Sequence, residues 1–114
     1  MRVLIVEDEW IIVKMMERAL VADGIEVVAK ANSVEQALAL IQSTAIDAAL
    51  LDPRLDGVWA QPVAEALQAK GVPFLVISGS AVPDGSGAMS AAPFLFKPFE
   101  LDELVQCTLA LAGG

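Results

Sequence analysis

The sequence contains no histidine and a single cysteine, Cys107. The absence of histidine excludes His-based catalytic triads, imidazole general bases and His-ligated zinc, and one cysteine cannot build a structural zinc site. We therefore expect any bound metal to be a hard cation held by oxygen atoms. Cys107 has no partner for an internal disulfide. It lies in an apolar helical pattern, which predicts a buried thiol in a reducing compartment.

Basic residues are also scarce, with 7 Lys and Arg against 15 Asp and Glu, so the formal net charge is −8. No basic cluster occurs, and we expect no direct binding to nucleic acid. No apolar run approaches the ~20 residues of a membrane span. Acidic residues follow the apolar N-terminal segment at once, unlike the flank of a signal peptide. These features predict a cytoplasmic protein that does not bind a membrane.

What the sequence does contain is apolar residues, 56% of its 114 positions, enough for one domain over residues 1–114. Apolar runs typical of buried strands alternate with segments of helical periodicity. The predicted strands cover residues 3–6, 25–29, 46–51, 73–78 and 94–96, and the predicted helices cover 10–21, 33–41, 62–70 and 101–111. This alternation predicts an α/β fold, a flavodoxin-like doubly wound sheet of five parallel strands in the order 2-1-3-4-5.

Two stretches between these elements stand out. Residues 48–57 form an apolar run that stops at Asp52 and passes into Pro53 and Asp56-Gly57, as a buried strand does when it enters a loop. Residues 79–93 are rich in Gly, Ser and Pro. We therefore predict that the helix expected between the fourth and fifth strands is short or irregular.

Polar side chains follow four of the predicted strands: Glu7 and Asp8 after the first, Asp52 after the third, Ser78 at the end of the fourth, and Lys97 after the fifth. Carboxyl ends of parallel strands meet at one edge of a sheet, where ligands bind. Converging carboxylates repel one another unless a cation lies between them, and Mg²⁺ prefers such oxygen ligands. The set predicts a phosphoryl-transfer site with a carboxylate nucleophile.

Each of these residues alone has an ordinary structural explanation. Acids at positions 7–9 favour a helix N-terminus, and Asp52 before Pro53 can simply form a turn. Ser78 before Gly79 can be a loop residue, and Lys97 a solvated charge. Their joint placement at strand ends favours the functional interpretation.

In order and spacing, the segments VLIVEDE, LLD, VISG and FLFKPF resemble the signature series of response-regulator receiver domains of two-component signalling, along essentially the whole chain. The resemblance implies phosphorylation of Asp52 by a histidine kinase or a histidine phosphotransfer protein. It also implies Mg²⁺ as the cofactor, bound by Glu7, Asp8, Asp52 and the backbone carbonyl of Arg54. Asp52, Lys97 and Ser78 would then perform the phosphoryl chemistry.

The resemblance further implies that Ser78 and Phe94 act as switch residues and that the Lys97–Pro98 peptide bond is cis. The chain departs from the usual pattern in four places. The first acid is Glu7 rather than Asp, the loop after Asp52 is short and lacks a proline after Leu55, Pro53 removes one backbone N–H, and residues 79–93 are rich in helix breakers. The amides of Arg54 and Gly79 remain as donors to a phosphoryl group.

The main interpretation is thus a stand-alone receiver that catalyses only its own phosphorylation and dephosphorylation and is not otherwise an enzyme. Its output would be contact with a downstream protein, or the domain would act as a phosphate relay or sink. A second copy of the chain, forming a homodimer, is a further candidate partner. Arg54 would influence the lifetime of the phosphoryl group. One alternative is a pseudo-receiver that binds proteins without phosphorylation. Another is a small metal-dependent phosphatase with an aspartyl nucleophile. A flavodoxin is disfavoured because acids follow the first strand, where a flavin phosphate needs hydroxyls and amides.

Overall fold

The computed structural model describes residues 1–79 and 88–113, as strands that alternate with helices. The strands are β1 (Arg2–Val6), β2 (Glu26–Ala31), β3 (Ala48–Leu51), β4 (Arg54–Leu55), β5 (Val58–Trp59), β6 (Phe74–Ser78) and β7 (Phe94–Phe96). The helices are α1 (Trp10–Ala22), α2 (Val34–Ser43), α3 (Gln61–Ala69) and α4 (Leu101–Gly113).

The main sheet has five strands in the order β2-β1-β3-β6-β7, and every neighbouring pair is parallel. Counted along the main sheet alone, this is the order 2-1-3-4-5 that the sequence predicts. The flavodoxin-like fold is therefore confirmed. The order places β1 beside β3 at the centre, so the residues that follow these two strands are neighbours in space.

The sheet is covered on both faces because alternate residues of each strand point to opposite sides. Leu4 and Leu51 lie on the face covered by α2 and α3, and their neighbours Ile5 and Leu50 lie on the face covered by α1 and α4. All four side chains are buried. This double coverage explains why the central strands read as continuous apolar runs rather than as alternating ones.

The ends of three helices have local causes in the sequence. The Ser33 hydroxyl accepts a hydrogen bond from the Gln36 N–H (3.1 Å), and the Gln36 side chain in turn accepts one from the Asn32 N–H (2.8 Å), which caps α2. Pro62 lies in the first turn of α3, where its missing N–H costs nothing. Gly24, with φ of 81°, follows the end of α1.

The structure corrects two local predictions. Residues 54–59 form an antiparallel hairpin, β4 with β5, where a plain loop was expected. Cys107, predicted to be buried, is only half-buried. On the last helix Leu104 is buried, whereas Leu101 and Leu109 are 36% and 38% exposed.

Between β6 and β7 the structure describes a single turn of 3₁₀ helix, Ala88–Ala91, which agrees with a short or irregular fourth helix. The rest of that prediction concerns residues 80–87, which lie outside the described residues. None of the helices that the structure describes is both long and apolar enough to cross a bilayer.

Candidate functional site

The backbone brings the predicted residues to one edge of the sheet. Beyond the ends of the strands, the Asp52 N–H donates to the Val6 carbonyl (2.9 Å) and the Lys97 N–H donates to the Ser78 carbonyl (2.8 Å). These bonds continue the strand pairing of β1 with β3 and of β6 with β7. The residues after the strands are therefore held side by side, as the strand order requires.

Three carboxylates converge at this edge: Glu7 and Asp8 after β1, and Asp52 after β3. One oxygen from each lies within 4.8 Å of the others. Glu7 is buried, with 2% of its surface exposed, and Asp52 is 9% exposed. Carboxylates held this close repel one another unless positive charge lies between them, most of all where two of the three side chains are buried. Their oxygens are the kind of ligand that Mg²⁺ takes from proteins. The cluster is therefore suited to a divalent cation.

Lys97 supplies positive charge to the cluster. Its Nζ lies 2.7 Å from Glu7 Oε1 and 3.2 Å from Asp52 Oδ2, and 3.7 Å from Glu9 Oε1. Burial opposes the charged ammonium, but the hydrogen bonds and charges of Glu7 and Asp52 outweigh it and raise the pKa of Lys97. Lys97 therefore stays protonated while it contacts both carboxylates.

The two acids that follow β1 differ in their pKa. Desolvation by burial raises the pKa of Glu7 to about 7, although the hydrogen bond from Lys97 opposes this rise. Desolvation also disfavours the charged form of Asp8, but hydrogen bonds, first that from the Asp56 N–H, outweigh it and lower its pKa. At neutral pH, Asp8 is thus ionised, while Glu7 populates both its protonated and its ionised form.

The longer side chain of Glu7 folds back on its own backbone. Its Oε2 accepts hydrogen bonds from the N–H groups of Asp8 (3.0 Å) and Glu9 (3.3 Å), while its Oε1 contacts Lys97. These contacts show how the site accommodates a glutamate where aspartate is commoner. The Glu7 carboxylate bonds both the backbone of the following turn and the Lys97 ammonium.

The β4–β5 hairpin forms one wall of the site, and sequence reasoning missed it. The Arg54 N–H donates to Asp52 Oδ1 (2.9 Å) and the Asp56 N–H donates to Asp8 Oδ2 (2.7 Å). The Arg54 guanidinium stacks over the Trp59 ring, with its Cζ 5.4 Å from the ring centroid. The Asp56-Gly57 dipeptide between Leu55 and Val58 was the available signal, because Asp-Gly favours two-residue hairpin turns.

An open pocket of about 380 Å³ lies in front of Asp52. Its lining includes Asp8, Arg54, Trp59, Ser78 and Gly79. Ser78 is 5% exposed at the end of β6. The pocket thus brings a carboxylate, a hydroxyl and backbone to one opening, and Lys97 Nζ lies 3.2 Å from Asp52 Oδ2.

The remaining predicted residues lie on β7 and just beyond it. Phe94 is half-buried and packs against Phe96, with ring centroids 4.5 Å apart and planes tilted by 56°. Phe96 itself is 58% exposed. The Lys97–Pro98 peptide bond is cis, as the resemblance predicts.

Comparison with known proteins supports the same family. The family model "Response regulator receiver domain" matches residues 3–108. The comparison with curated protein sequences found no match.

Solved structures give close matches. The solution structure of SdrG from Sphingomonas melonis Fr1 is 36% identical, with 99% of this chain and 96% of that chain covered and a TM-score of 0.83. The BeF3-activated conformation of SdrG from Pseudomonas melonis Fr1 is 37% identical, with coverage of 97% and 95% and a TM-score of 0.80. The response regulator PhyR from Brucella abortus is 26% identical over 97% of this chain but only 46% of its own, with a TM-score of 0.81.

The strand order, the acidic cluster beside Lys97, and a family match that spans nearly the whole sequence agree with one another. This chain belongs to the response regulator receiver domains of two-component signalling.

Proposed function

We propose that this receiver domain accepts a phosphoryl group on Asp52 in a Mg²⁺-dependent transfer from a histidine kinase or a histidine phosphotransfer protein. The observation that carries the proposal is the convergence of the Glu7, Asp8 and Asp52 carboxylates within 4.8 Å, with Lys97 Nζ 3.2 Å from Asp52. This arrangement supplies a nucleophile, ligands for a cation, and a fixed positive charge.

In the proposed transfer, an Asp52 carboxylate oxygen attacks phosphorus, the P–N bond of the phosphohistidine breaks, and the leaving imidazole nitrogen keeps the bond's electron pair. Glu7, Asp8, Asp52 and the backbone carbonyl of Arg54 would hold Mg²⁺. When bound, the cation neutralises charge on the phosphoryl oxygens.

The chain's own groups orient the acceptor and receive the transferred group. The Arg54 N–H and the Lys97 ammonium hold one oxygen each of Asp52, which fixes the plane of its carboxylate. Ser78 and Gly79 line the pocket in front of Asp52 and are proposed to bind phosphoryl oxygens, together with Lys97. Arg54 and Trp59 stack at the rim of this pocket, where they would restrict attack by water on the phosphorylated aspartate.

We also assign a docking face to the phosphodonor protein. Trp10, Ile11 and Met15 on α1 are 67%, 58% and 49% exposed, an unusual concentration of apolar surface on one helix. Met15 also lines an apolar cavity of about 330 Å³ together with Lys97, Pro98 and Phe99. Because Lys97 lines this cavity and contacts Asp52, the face borders the acceptor, and a partner that covers it would lie beside Asp52.

Phosphorylation would place new negative charge beside Ser78 and Lys97. The proposed output is contact with a downstream protein, with Ser78 and Phe94 as the residues that respond. The receiver is a signalling module, and its chemistry is confined to its own aspartate in this proposal.

The direct test is phosphorylation with a small-molecule phosphodonor such as phosphoramidate. Wild-type protein should gain one phosphoryl group in the presence of Mg²⁺, measured by intact-protein mass spectrometry. Labelling should disappear in EDTA and in Asp52→Asn. The matched control is Asp47→Asn, which removes an exposed carboxylate that pairs with Arg2 and lies at the other end of β3. Equal labelling of wild type and Asp52→Asn would refute the proposal, and no labelling of wild type would favour a phosphorylation-independent binding module.

A further inference from the structure

One short element, the β4–β5 hairpin, donates a backbone N–H to each of two carboxylates. The Arg54 N–H bonds Asp52 Oδ1 (2.9 Å), and the Asp56 N–H bonds Asp8 Oδ2 (2.7 Å). The two aspartates follow different strands, β3 and β1, and Asp8 lies 48 residues from Asp56 in the chain. The hairpin is therefore a second link between the two carboxylates, in addition to the backbone bond from the Asp52 N–H to the Val6 carbonyl.

The hairpin is held firmly against the domain. Leu55 at its centre is 1% exposed and belongs to the core on the α2–α3 face. At its base the Ala60 N–H donates to the Pro53 carbonyl (2.8 Å), and Ala60 in turn precedes the first residue of α3. The amides that the hairpin presents to the site are thus fixed by packing that is remote from the acidic cluster.

The direction of the Asp56 N–H depends on the turn that closes the hairpin. Asp56 and Gly57 have φ values of 51° and 79°, and positive φ at both central residues is the mark of a type I′ turn. Residues with branched side chains strongly disfavour this conformation. A β-carbon on Gly57 would meet no atom within 4 Å, so a substitution there acts through backbone conformation and not through a clash.

Asp8 needs such support because it is exposed, and an exposed carboxylate samples several rotamers. We propose that the Asp56–Gly57 turn is a positioning element: its Asp56 N–H holds the Asp8 side chain in the orientation that binds Mg²⁺. This inference rests on the proposed function, in which Asp8 is a ligand of the cation. Groups that orient metal ligands commonly change metal affinity by 10- to 100-fold when they are removed.

The test compares Mg²⁺ dissociation constants, measured by calorimetric titration, across substitutions matched for backbone strain. Gly57→Val forces the turn out of positive φ and should weaken Mg²⁺ binding by about tenfold. Gly57→Asn should bind within about twofold of wild type, because asparagine tolerates positive φ. Gly24→Val is the control for strain. Gly24 also has positive φ (81°), and an added β-carbon would meet no atom within 4 Å, but this glycine lies at the far end of α1.

A Gly57→Val protein that binds Mg²⁺ as tightly as wild type overturns the inference, and so does a Gly24→Val protein that loses as much affinity. If Gly57→Val fails to fold, amide hydrogen exchange tests the hydrogen bond from Asp56 to Asp8 in proteins whose turn sequence is unchanged. The Asp56 amide should exchange at least tenfold faster in Asp8→Ala than in wild type, and equal rates overturn the inference. Failure of wild type itself to bind Mg²⁺ would instead refute the proposed function, so the two failures are distinguishable.

Discussion

The carboxyl group of Glu7 couples proton binding to cation binding at the scale of a single residue. Its side chain is buried, it contacts Lys97, and burial raises its pKa to about 7. A cation placed among Glu7, Asp8 and Asp52 would favour the ionised form of all three. Proton release from Glu7 is therefore expected to accompany Mg²⁺ binding near neutral pH.

The same pKa predicts how stability depends on pH in metal-free protein. The folded pKa of Glu7 lies above its unfolded value, so the folded state binds the additional proton, and this contribution to stability declines as pH rises from about 4.5 to about 7. In EDTA, the part of the unfolding free energy due to Glu7 should fall by about 2 kcal/mol between pH 5.5 and 8. Glu7→Gln cannot ionise and should lack this decline.

Urea unfolding of the two proteins at both pH values measures the difference. The matched control is Glu65→Gln, because Glu65 is an exposed glutamate of α3 and is not one of the three clustered carboxylates. A Glu7 carboxyl that titrates near 4.5 by NMR in the folded, metal-free protein would contradict the prediction.

At the scale of elements, periodicity and turn residues were sufficient to predict most of the fold. The continuous apolar run of β3 indicated a strand buried on both faces, and strand order followed from the alternation of strands with helices. The site residues could be chosen because parallel strands end at a common edge, so position in the chain implies position in space. Asp52 and Lys97, 45 residues apart, are in contact for this reason.

The hairpin shows where such reasoning ends. Asp56-Gly57 is a local signal for a turn. The hydrogen bond from the Asp56 N–H to Asp8, however, joins residues 48 positions apart, and no periodicity or motif in the sequence relates these two positions. Likewise, Leu101 and Leu109 have helical spacing, yet the face that a helix buries is decided by its packing against α1 and the sheet. Tertiary contacts, not local sequence, determine these features.

The exposed apolar face of α1 yields a prediction at the scale of one helix. Trp10→Ala and Met15→Ala should each slow phosphotransfer from a histidine phosphotransfer protein, with kcat/KM lower by about tenfold for Trp10→Ala, because an aromatic anchor at an interface commonly contributes more than ~1.4 kcal/mol. Labelling by phosphoramidate should be unchanged, because a small donor needs no docking face.

Val21→Ala is the matched control for this helix. Val21 is 55% exposed and lies about three turns beyond Trp10, on the same side of α1 but ~16 Å farther from the acidic cluster. Its removal should leave both reactions unchanged. Equal phosphotransfer rates in wild type and in Trp10→Ala would exclude α1 as the docking face.

At the scale of the whole molecule, the residues of the proposed site are held in place by the central sheet and the hydrophobic cores on its two faces. Glu7 and Asp8 follow β1, Asp52 follows β3 and Lys97 follows β7, and the hairpin is anchored in the core through Leu55. Unfolding separates all of these residues at once. Any cation that binds the assembled cluster, and not the unfolded chain, must therefore stabilise the entire domain.

Mg²⁺ should accordingly raise the melting temperature in proportion to the logarithm of its concentration. At about 100 times the dissociation constant the gain is ~2.7 kcal/mol, which for a domain of this size corresponds to a rise of about 10 °C. Asp8→Asn should show a much smaller rise because one cation ligand is lost. Asp47→Asn should match wild type, since Asp47 is exposed and pairs with Arg2 at the opposite edge of the sheet. Differential scanning calorimetry with Mg²⁺ against EDTA measures these shifts, and an equal rise in wild type and Asp8→Asn would show that the cation binds elsewhere.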